Sequence, residues 1–319
     1  MGESVPAPAK PAKIVSLIAS ATEIVCALGA RDRLVGRSHE CDYPPDILEL
    51  PQLTEPKFPV EGSSSEIDKR VKAVVEEGLS VYRVDADALE SLSPDIIVTQ
   101  DHCEVCAVSL SDVEDAVCAW SGRNAEIVSL HPGSLADIWA DIAKVASALG
   151  DPEAGETLIA RSMARMETIA AEARKAKSKP SIAMIEWIDP MMGGGNWMPE
   201  LVEMAGATDF LAKPGEPSPW VEWDDILKED PDIVFVHPCG FDIPRTLQEM
   251  PILEAKPGWQ DLKAVRDGKI FVADGNQYFN RPGPRVVESL EILAEIAHPD
   301  LFPPRFEGTG WIRYAGTSS

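Results

Sequence analysis

The sequence predicts an α/β chain of two lobes, each built on a parallel sheet, joined by one long helix. Three observations carry that prediction: a repeated buried strand, a repeated strand-to-helix opening, and an uninterrupted helical stretch between the repeats. Ser93-Pro94-Asp95-Ile96-Ile97-Val98-Thr99-Gln100 returns as Asp230-Pro231-Asp232-Ile233-Val234-Phe235-Val236-His237. Each copy follows an amphipathic segment and contributes consecutive apolar residues, the pattern of a parallel strand covered on both faces.

The openings of the two halves correspond as well. Ile14-Val15-Ser16-Leu17 leads into a helix over Thr22 to Ala30, and Ile182-Ala183-Met184-Ile185 leads into one over Met198 to Ala205. Gly29 and Gly206 follow these helices and suit a left-handed C-cap. Between the halves, Leu135, Ile138, Trp139, Ile142, Val145, Ala146 and Leu149 recur at helical spacing, and Gly150-Asp151-Pro152 ends that helix. A second run from Glu153 to Lys175 has no Pro and carries Leu158, Ile159, Met163, Met166 and Ile169 along one stripe. At 1.5 Å per residue it extends roughly 33 Å, enough to bridge two lobes. A last helix is expected from Arg285 to Ala297, bounded by Pro284 and Pro299. The resulting division is a disordered leader over residues 1–13, an N-terminal Rossmann-like lobe over 14–151, a connecting helix over 152–177 and a C-terminal Rossmann-like lobe over 178–319.

Composition bounds the partners. The 319 residues are 45% hydrophobic and 26% charged, ample for a sizeable core. Fifty-three acidic against 29 basic side chains give a formal charge of −24. Such a surface repels phosphate backbones and anionic lipid, so nucleic acid is not expected as a partner. Ile14 to Ala30 resembles a signal-peptide core in apolar content, but Thr22 and Glu23 interrupt it, and a buried strand and helix is the preferred reading. With six cysteines and no recognised export signal, thiols or ligands are favoured over structural disulfides, and the cytoplasm is the expected compartment.

In open α/β sheets ligands bind beyond the carboxyl ends of the strands. The candidate ligand-binding residues are therefore Ser20, His39, Tyr43, Trp187, Asn196, Trp197, His237, Phe241, Tyr278, Asn280 and Arg281. Trp187, Trp197, Tyr278 and Phe241 together suggest an aromatic cradle for a flat macrocycle, with ordinary packing as the alternative for any one of them. Gly193-Gly194-Gly195 lacks the Lys-Ser/Thr of a phosphate loop and reads as a place where backbone approaches a bulky ligand. Arg281 suits either a ligand carboxylate or phosphate, or a structural pair with Asp274. Trp120 and Trp139 read as core, as do Cys26 and Cys118.

Cys103-x-x-Cys106 has the spacing of a chelating or redox pair, for zinc, an iron–sulfur cluster or dithiol chemistry. His39, Cys41, His237 and Cys239 are the residues available to complete such a set, so Cys41, Cys103, Cys106 and Cys239 form the candidate metal site. The competing reading is that these cysteines are small buried residues. The sequence has no Gly-x-Ser-x-Gly elbow and no His-Glu-x-x-His motif, so a non-catalytic binding role is the main expectation, with a cytoplasmic metal-binding or redox protein, catalytic or not, built on Cys103 and Cys106 with His39, Cys41, His237 or Cys239 as the alternative function.

The openings Ile14-Val15-Ser16-Leu17, Ser20-Ala21-Thr22-Glu23-Ile24 and Gly29 to Gly36, with Cys41-Asp42-Tyr43-Pro44, the Pro-Asp strands and Arg281-Pro282-Gly283-Pro284-Arg285, carry a resemblance. The chain resembles the helical-backbone substrate-binding proteins of ABC transporters, nearest their cobalamin-binding branch. That resemblance implies two lobes on one helix, a cleft between them, and a cobalamin-like corrinoid or related metal chelate as ligand. His39 or His237 then becomes the candidate for the metal's open axial position. Three departures stand out: the family's export signal or anchor cysteine is missing, a stretch from Glu61 to Asp85, helix-like over Ile67 to Glu77, precedes the first Pro-Asp strand, and the cleft-facing loops carry unusual cysteines. On these grounds transporter docking is not carried over, and the delivery partner stays unassigned.

Overall fold

A computed structural model describes residues 11–76, 81–101, 110–118 and 125–316. In the N-terminal lobe the order is β1 (Ile14–Ser16), α1 (Ala19–Ala27), β2 (Leu34–Arg37), β3 (Thr54–Pro56), α2 (Ser64–Glu76), β4 (Tyr82–Val84), α3 (Ala86–Leu92), β5 (Ile96–Gln100), α4 (Leu110–Cys118), β6 (Glu126–Leu130) and α5 (Leu135–Ala148). The connecting helix α6 spans Pro152–Ala173. The C-terminal lobe follows as β7 (Ser181–Trp187), β8 (Met192–Gly193), α7 (Met198–Met204), β9 (Thr208–Asp209), α8 (Trp223–Glu229), β10 (Ile233–Val236), α9 (Ile243–Glu254), α10 (Lys263–Arg266), β11 (Ile270–Ala273), α11 (Val286–Ala297) and β12 (Trp311–Arg313).

The first sheet runs β2-β1-β5-β6, all parallel. The second runs β12-β11-β10-β7-β8, with β9 also on β7; its central strands β7, β10 and β11 are parallel, and β8 and β12 are antiparallel edges. β3 and β4 form a separate antiparallel hairpin.

The repeated Pro-Asp motif has a physical basis. Ser93 (φ 49°) and Asp230 (φ 45°) are left-handed C-caps of α3 and α8, turning the chain into the following strand. Asp95 then accepts the Lys13 amide at 2.7 Å, and Asp232 accepts that of Ser181 at 2.9 Å. In each half the aspartate thus ties the start of one central strand to its neighbour. Gly29 and Gly206 take the left-handed conformation expected of them, at φ 78° and 75°.

α6 joins the lobes through a shared core. Leu158, Met166 and Ile169 on α6 pack in one apolar cluster with Ile24 of α1, Ile142 of α5, Leu201 of α7 and Leu293 of α11. Gly155 lets α6 lie close on α5: an added Cβ there would fall 2.5 Å from the Cβ of Ala146. Among the described residues no helix is long and apolar enough to cross a membrane.

Candidate ligand site between the lobes

The loops that leave the carboxyl ends of β1, β2, β5, β7, β10 and β11 carry most of the candidate side chains, and the two lobes meet through them. Arg281, 2% exposed, donates to Glu23 at 3.0 Å and lies 2.6 Å from the Asp42 carboxylate. Asn276 donates to Asp42 at 3.1 Å. Arg285 reaches Glu23 at 3.4 Å, and its guanidinium stacks on Tyr43 (4.1 Å) and Tyr278 (4.7 Å), one ring from each lobe. Burial raises the Glu23 pKa even against the pull of both arginines. The structural partners of Arg281 are therefore Glu23 and Asp42, and the nearby Asp274 instead caps the turn beginning at Gly275 by accepting the Gln277 amide.

On the N-terminal side, Thr54 Oγ1 donates to Ser38 Oγ at 3.0 Å and sits 2.8 Å from His39 Nδ1. Ser38 Oγ lies 3.4 Å from the same Nδ1, so the Ser38 and Thr54 hydroxyls together hold the ring by one nitrogen. Burial, helped by Arg37, lowers the His39 pKa to about 4, so the ring is neutral at physiological pH. Its face lies 4.9 Å from Tyr82, whose hydroxyl donates to Glu40 at 3.2 Å. Burial raises Glu40 to about 7.

The C-terminal side is built around Glu186. It accepts from Ser218 Oγ at 3.0 Å, and burial raises its pKa to about 7. Trp187 packs on Phe241 with ring centroids 5.1 Å apart, and the Arg245 guanidinium covers Phe241 at 4.2 Å. His237 is buried between Phe235 and Phe279, both of its ring nitrogens lack a hydrogen-bond partner among the described residues, and desolvation lowers its pKa to about 3. Cys239 Sγ donates to Asn280 Oδ1 at 2.7 Å.

Several expectations are corrected by this geometry. Trp197 belongs to the apolar cluster that also holds Met198 and Phe235 and is as buried as Phe241, so the more accessible aromatic rings are Trp187, beside Phe241, and Tyr43 and Tyr278 around Arg285. The glycine run serves the protein's own packing: an added Cβ at Gly195 would fall 2.3 Å from the Ser218 amide nitrogen. Asn196 takes a left-handed turn (φ 54°) in the same loop. Cys41 is fully buried in the N-terminal core, accepting from Thr22 Oγ1 at 3.0 Å, which removes it from any ligand set. Cys26 is half-buried against that core, and its pKa is raised by burial to about 11; Trp139 packs there too. Among the described residues no three His, Cys, Asp or Glu side chains gather as for a metal ion. Cys103, Cys106 and Trp120, and the side chain of Cys118, lie outside the described residues.

Sequence reasoning missed Glu23, Asp42, Arg285 and Ser218. The two acids stood inside quoted motifs, but nothing local pairs Glu23 with Arg281, which is 258 positions away. A recess of about 680 Å³ against the end of α6, lined by Leu135, Arg174, Lys179 and Glu200 among others, contains none of the candidate residues.

Two parallel-sheet lobes on one helix, with polar and aromatic strand-end loops facing each other, define a two-lobed solute-binding protein. Residues 14–276 match the family model described as periplasmic binding protein, and the chain belongs to that family. It is a binding protein rather than an enzyme. It is 24% identical over 301 residues to the uncharacterized ABC transporter substrate-binding lipoprotein YvrC of Bacillus subtilis, covering 92% of this chain and 82% of that one. It is 21% identical over 285 residues to the vitamin B12-binding protein of Vibrio cholerae, covering 88% and 86%. Among solved structures, a periplasmic heme-binding protein from Pseudomonas aeruginosa superposes with a TM-score of 0.70 at 19% identity, covering 97% of this chain and 100% of that one. The periplasmic vitamin B12-binding protein BtuF of Vibrio cholerae gives 0.63 at 20% identity, covering 91% and 98%.

Proposed function

We propose that the chain binds a cobalamin-like corrinoid, or a closely related metal chelate, between its lobes and delivers it to an ABC transporter. One observation carries the reading. Among the described residues, buried polar atoms without partners lie at the carboxyl ends of strands in both sheets: Ser20 Oγ after β1, Thr99 Oγ1 and Gln100 Oε1 on β5, and both His237 nitrogens after β10. Buried polar groups are normally satisfied, so a set of orphans at the ligand-binding face points to a polar solute.

Charge supports a corrinoid over an anionic chelate. Glu23, Glu40, Asp42, Glu186 and Asp274 face this region against Arg281 and Arg285, whose charges are already engaged. Carboxyls raised to about 7 are partly protonated at neutral pH and can donate to the carbonyl oxygens of an amide-fringed macrocycle. Free carboxylates on a porphyrin would meet repulsion there. His39, kept neutral by burial and held at Nδ1 by Thr54, is the candidate for an axial metal position.

The test is to mix the purified protein with hydroxocobalamin or with hemin, desalt, and record visible spectra. Retained stoichiometric corrinoid colour, with a band shift lost in His39→Ala, is the expected result. Retention of hemin with loss of the corrinoid would overturn the ligand assignment.

A further inference from the structure

Within the stretch that departs from the resembled family, Glu61 to Asp85, the described residues 61–76 cross from one lobe to the other. The stretch leaves the N-terminal lobe at the β3–β4 hairpin, beside Thr54 and His39. Its helix α2 then docks on α9, which starts just after the β10 loop carrying His237 and Phe241. Both anchorages are therefore on the strand-end side of their sheets, where the candidate ligand site lies.

The docking contacts are polar and few. α2 opens with a capping box: Glu66 accepts from the Ser63 amide at 2.8 Å, and Ser63 Oγ accepts from the Glu66 amide at 3.3 Å. The next amide, that of Ser64, is given to the other lobe. Glu249 on α9 accepts from Ser64 N at 3.2 Å and from Ser64 Oγ at 2.7 Å, and both residues are buried. Arg245 holds Glu249 at 2.8 Å and donates to the Gly62 carbonyl at 2.6 Å. Further along, the Lys72 ammonium lies 4.6 Å over the exposed ring of Trp220. Ser64 is the only buried residue among the described side chains of α2, and none of them belongs to an apolar core cluster.

We propose that residues 59–76 form a strap over the mouth of the inter-lobe cleft, latched by Ser64, Glu249 and Arg245, and that its release gates solute entry and exit. A helix held by a handful of hydrogen bonds, with no shared core, opens far more readily than the lobes it joins. The latch also touches the site. Arg245 lies on Phe241, and Phe241 packs on Trp187, so a solute stacking on that aromatic surface shifts the side chain that holds the strap. The inference rests on the cleft being the solute site; the identity of the solute is a separate matter.

Glu249→Ala and the milder Ser64→Ala test it by hydrogen exchange of peptides covering 61–76 and 237–242, with β10 (233–236) as the control. The same proteins are then followed by stopped flow with hydroxocobalamin. Both variants are expected to speed exchange of the strap and of the 237–242 loop at least tenfold with β10 unchanged, and to raise association and dissociation rates of hydroxocobalamin together. Unchanged strap exchange would overturn the latch. Faster strap exchange with unaltered loop exchange and unaltered binding rates would overturn the gate. If the wild-type protein does not bind hydroxocobalamin, the corrinoid reading fails on its own. The gate then stands or falls on exchange of the 237–242 loop.

Discussion

Arg281→Met isolates the contact that holds the lobes together. Arg281 and Glu23 are each 2% exposed, and Arg281 also neutralises Asp42 from 2.6 Å. Removing one partner of a buried pair leaves an uncompensated charge and typically costs about 3–5 kcal/mol. Arg285 stays 3.4 Å from Glu23, which places the expected loss near the lower end, about 3 kcal/mol. Part of the loss should be recoverable by protonation. The Glu23 carboxyl is already raised by burial, and losing Arg281 removes one of the groups that lower it. A group raised in the folded state contributes stability that is present below its unfolded pKa and lost as pH rises through the folded one. The deficit of Arg281→Met should therefore be larger at pH 8 than at pH 5. In Glu23→Gln/Arg281→Met it should be smaller and less dependent on pH, the remainder coming from Asp42, Glu40 and Asp274, which also lose Arg281. Urea unfolding of the single and double variants at both pH values measures this. A single-variant loss below about 1 kcal/mol, or equal deficits at the two pH values, would refute the reasoning.

Other consequences follow from the same geometry. Trp187→Ala, which removes the half-buried partner of Phe241, is expected to weaken hydroxocobalamin binding at least tenfold by titration, whereas Trp197→Ala should act on folding and lower stability by about 3–5 kcal/mol in urea. Gly195→Ala and Gly275→Ala should each destabilise markedly. The new Cβ would lie 2.3 Å from the Ser218 amide nitrogen in the first and 2.1 Å from the Pro238 carbonyl oxygen in the second. Glu40 and Glu186, raised by burial from 4.5 to about 7, make wild-type stability rise as pH falls from 8 towards 6.5. Below 6.5 the two depressed histidines begin to oppose that trend, since the unfolded chain takes up their protons first. Thermal unfolding across this range should show the rise, and Glu186→Gln should reduce its slope.

The two sheets and the helices α5, α6 and α11 were legible because apolar periodicity is a local signal that burial enforces. The Pro-Asp repeat was legible because both halves use the same left-handed cap and the same aspartate-to-amide bond. The partners of Arg281 were not legible. Sequence proximity suggested Asp274, but a buried guanidinium is satisfied by whatever carboxylate the fold brings to it, here from α1 and the loop after β2. The cysteine reading failed at Cys41 for a related reason: its environment is set by Thr22, 19 positions earlier, and not by its neighbours in the chain. The stretch Glu61 to Asp85 stood out as a departure, and its helix was visible. Where that helix docks was not, since the contact between Ser64 and Glu249 spans 185 positions and has no period.

The placement of apolar and polar contacts around the cleft sets what can move. Along α6 the lobes share one apolar cluster, so separating them there would expose the core residues of α1, α5, α7 and α11 together. Burial of a single such side chain is worth about 1.5–3 kcal/mol, so this side is a fixed spine. At the opposite extreme the strap is held, among the described residues, by three hydrogen bonds and one cation–π contact. At about 1.5–3 kcal/mol for each hydrogen bond to a charged partner and roughly 0.5–1 for the exposed cation–π pair, opening the strap costs far less than exposing the many apolar side chains of the spine. The Arg281 and Arg285 pairs lie between these limits. A solute can therefore enter past the strap without disturbing the spine, and replacing the contacts of Arg281 with its own would be the slower, tightening step.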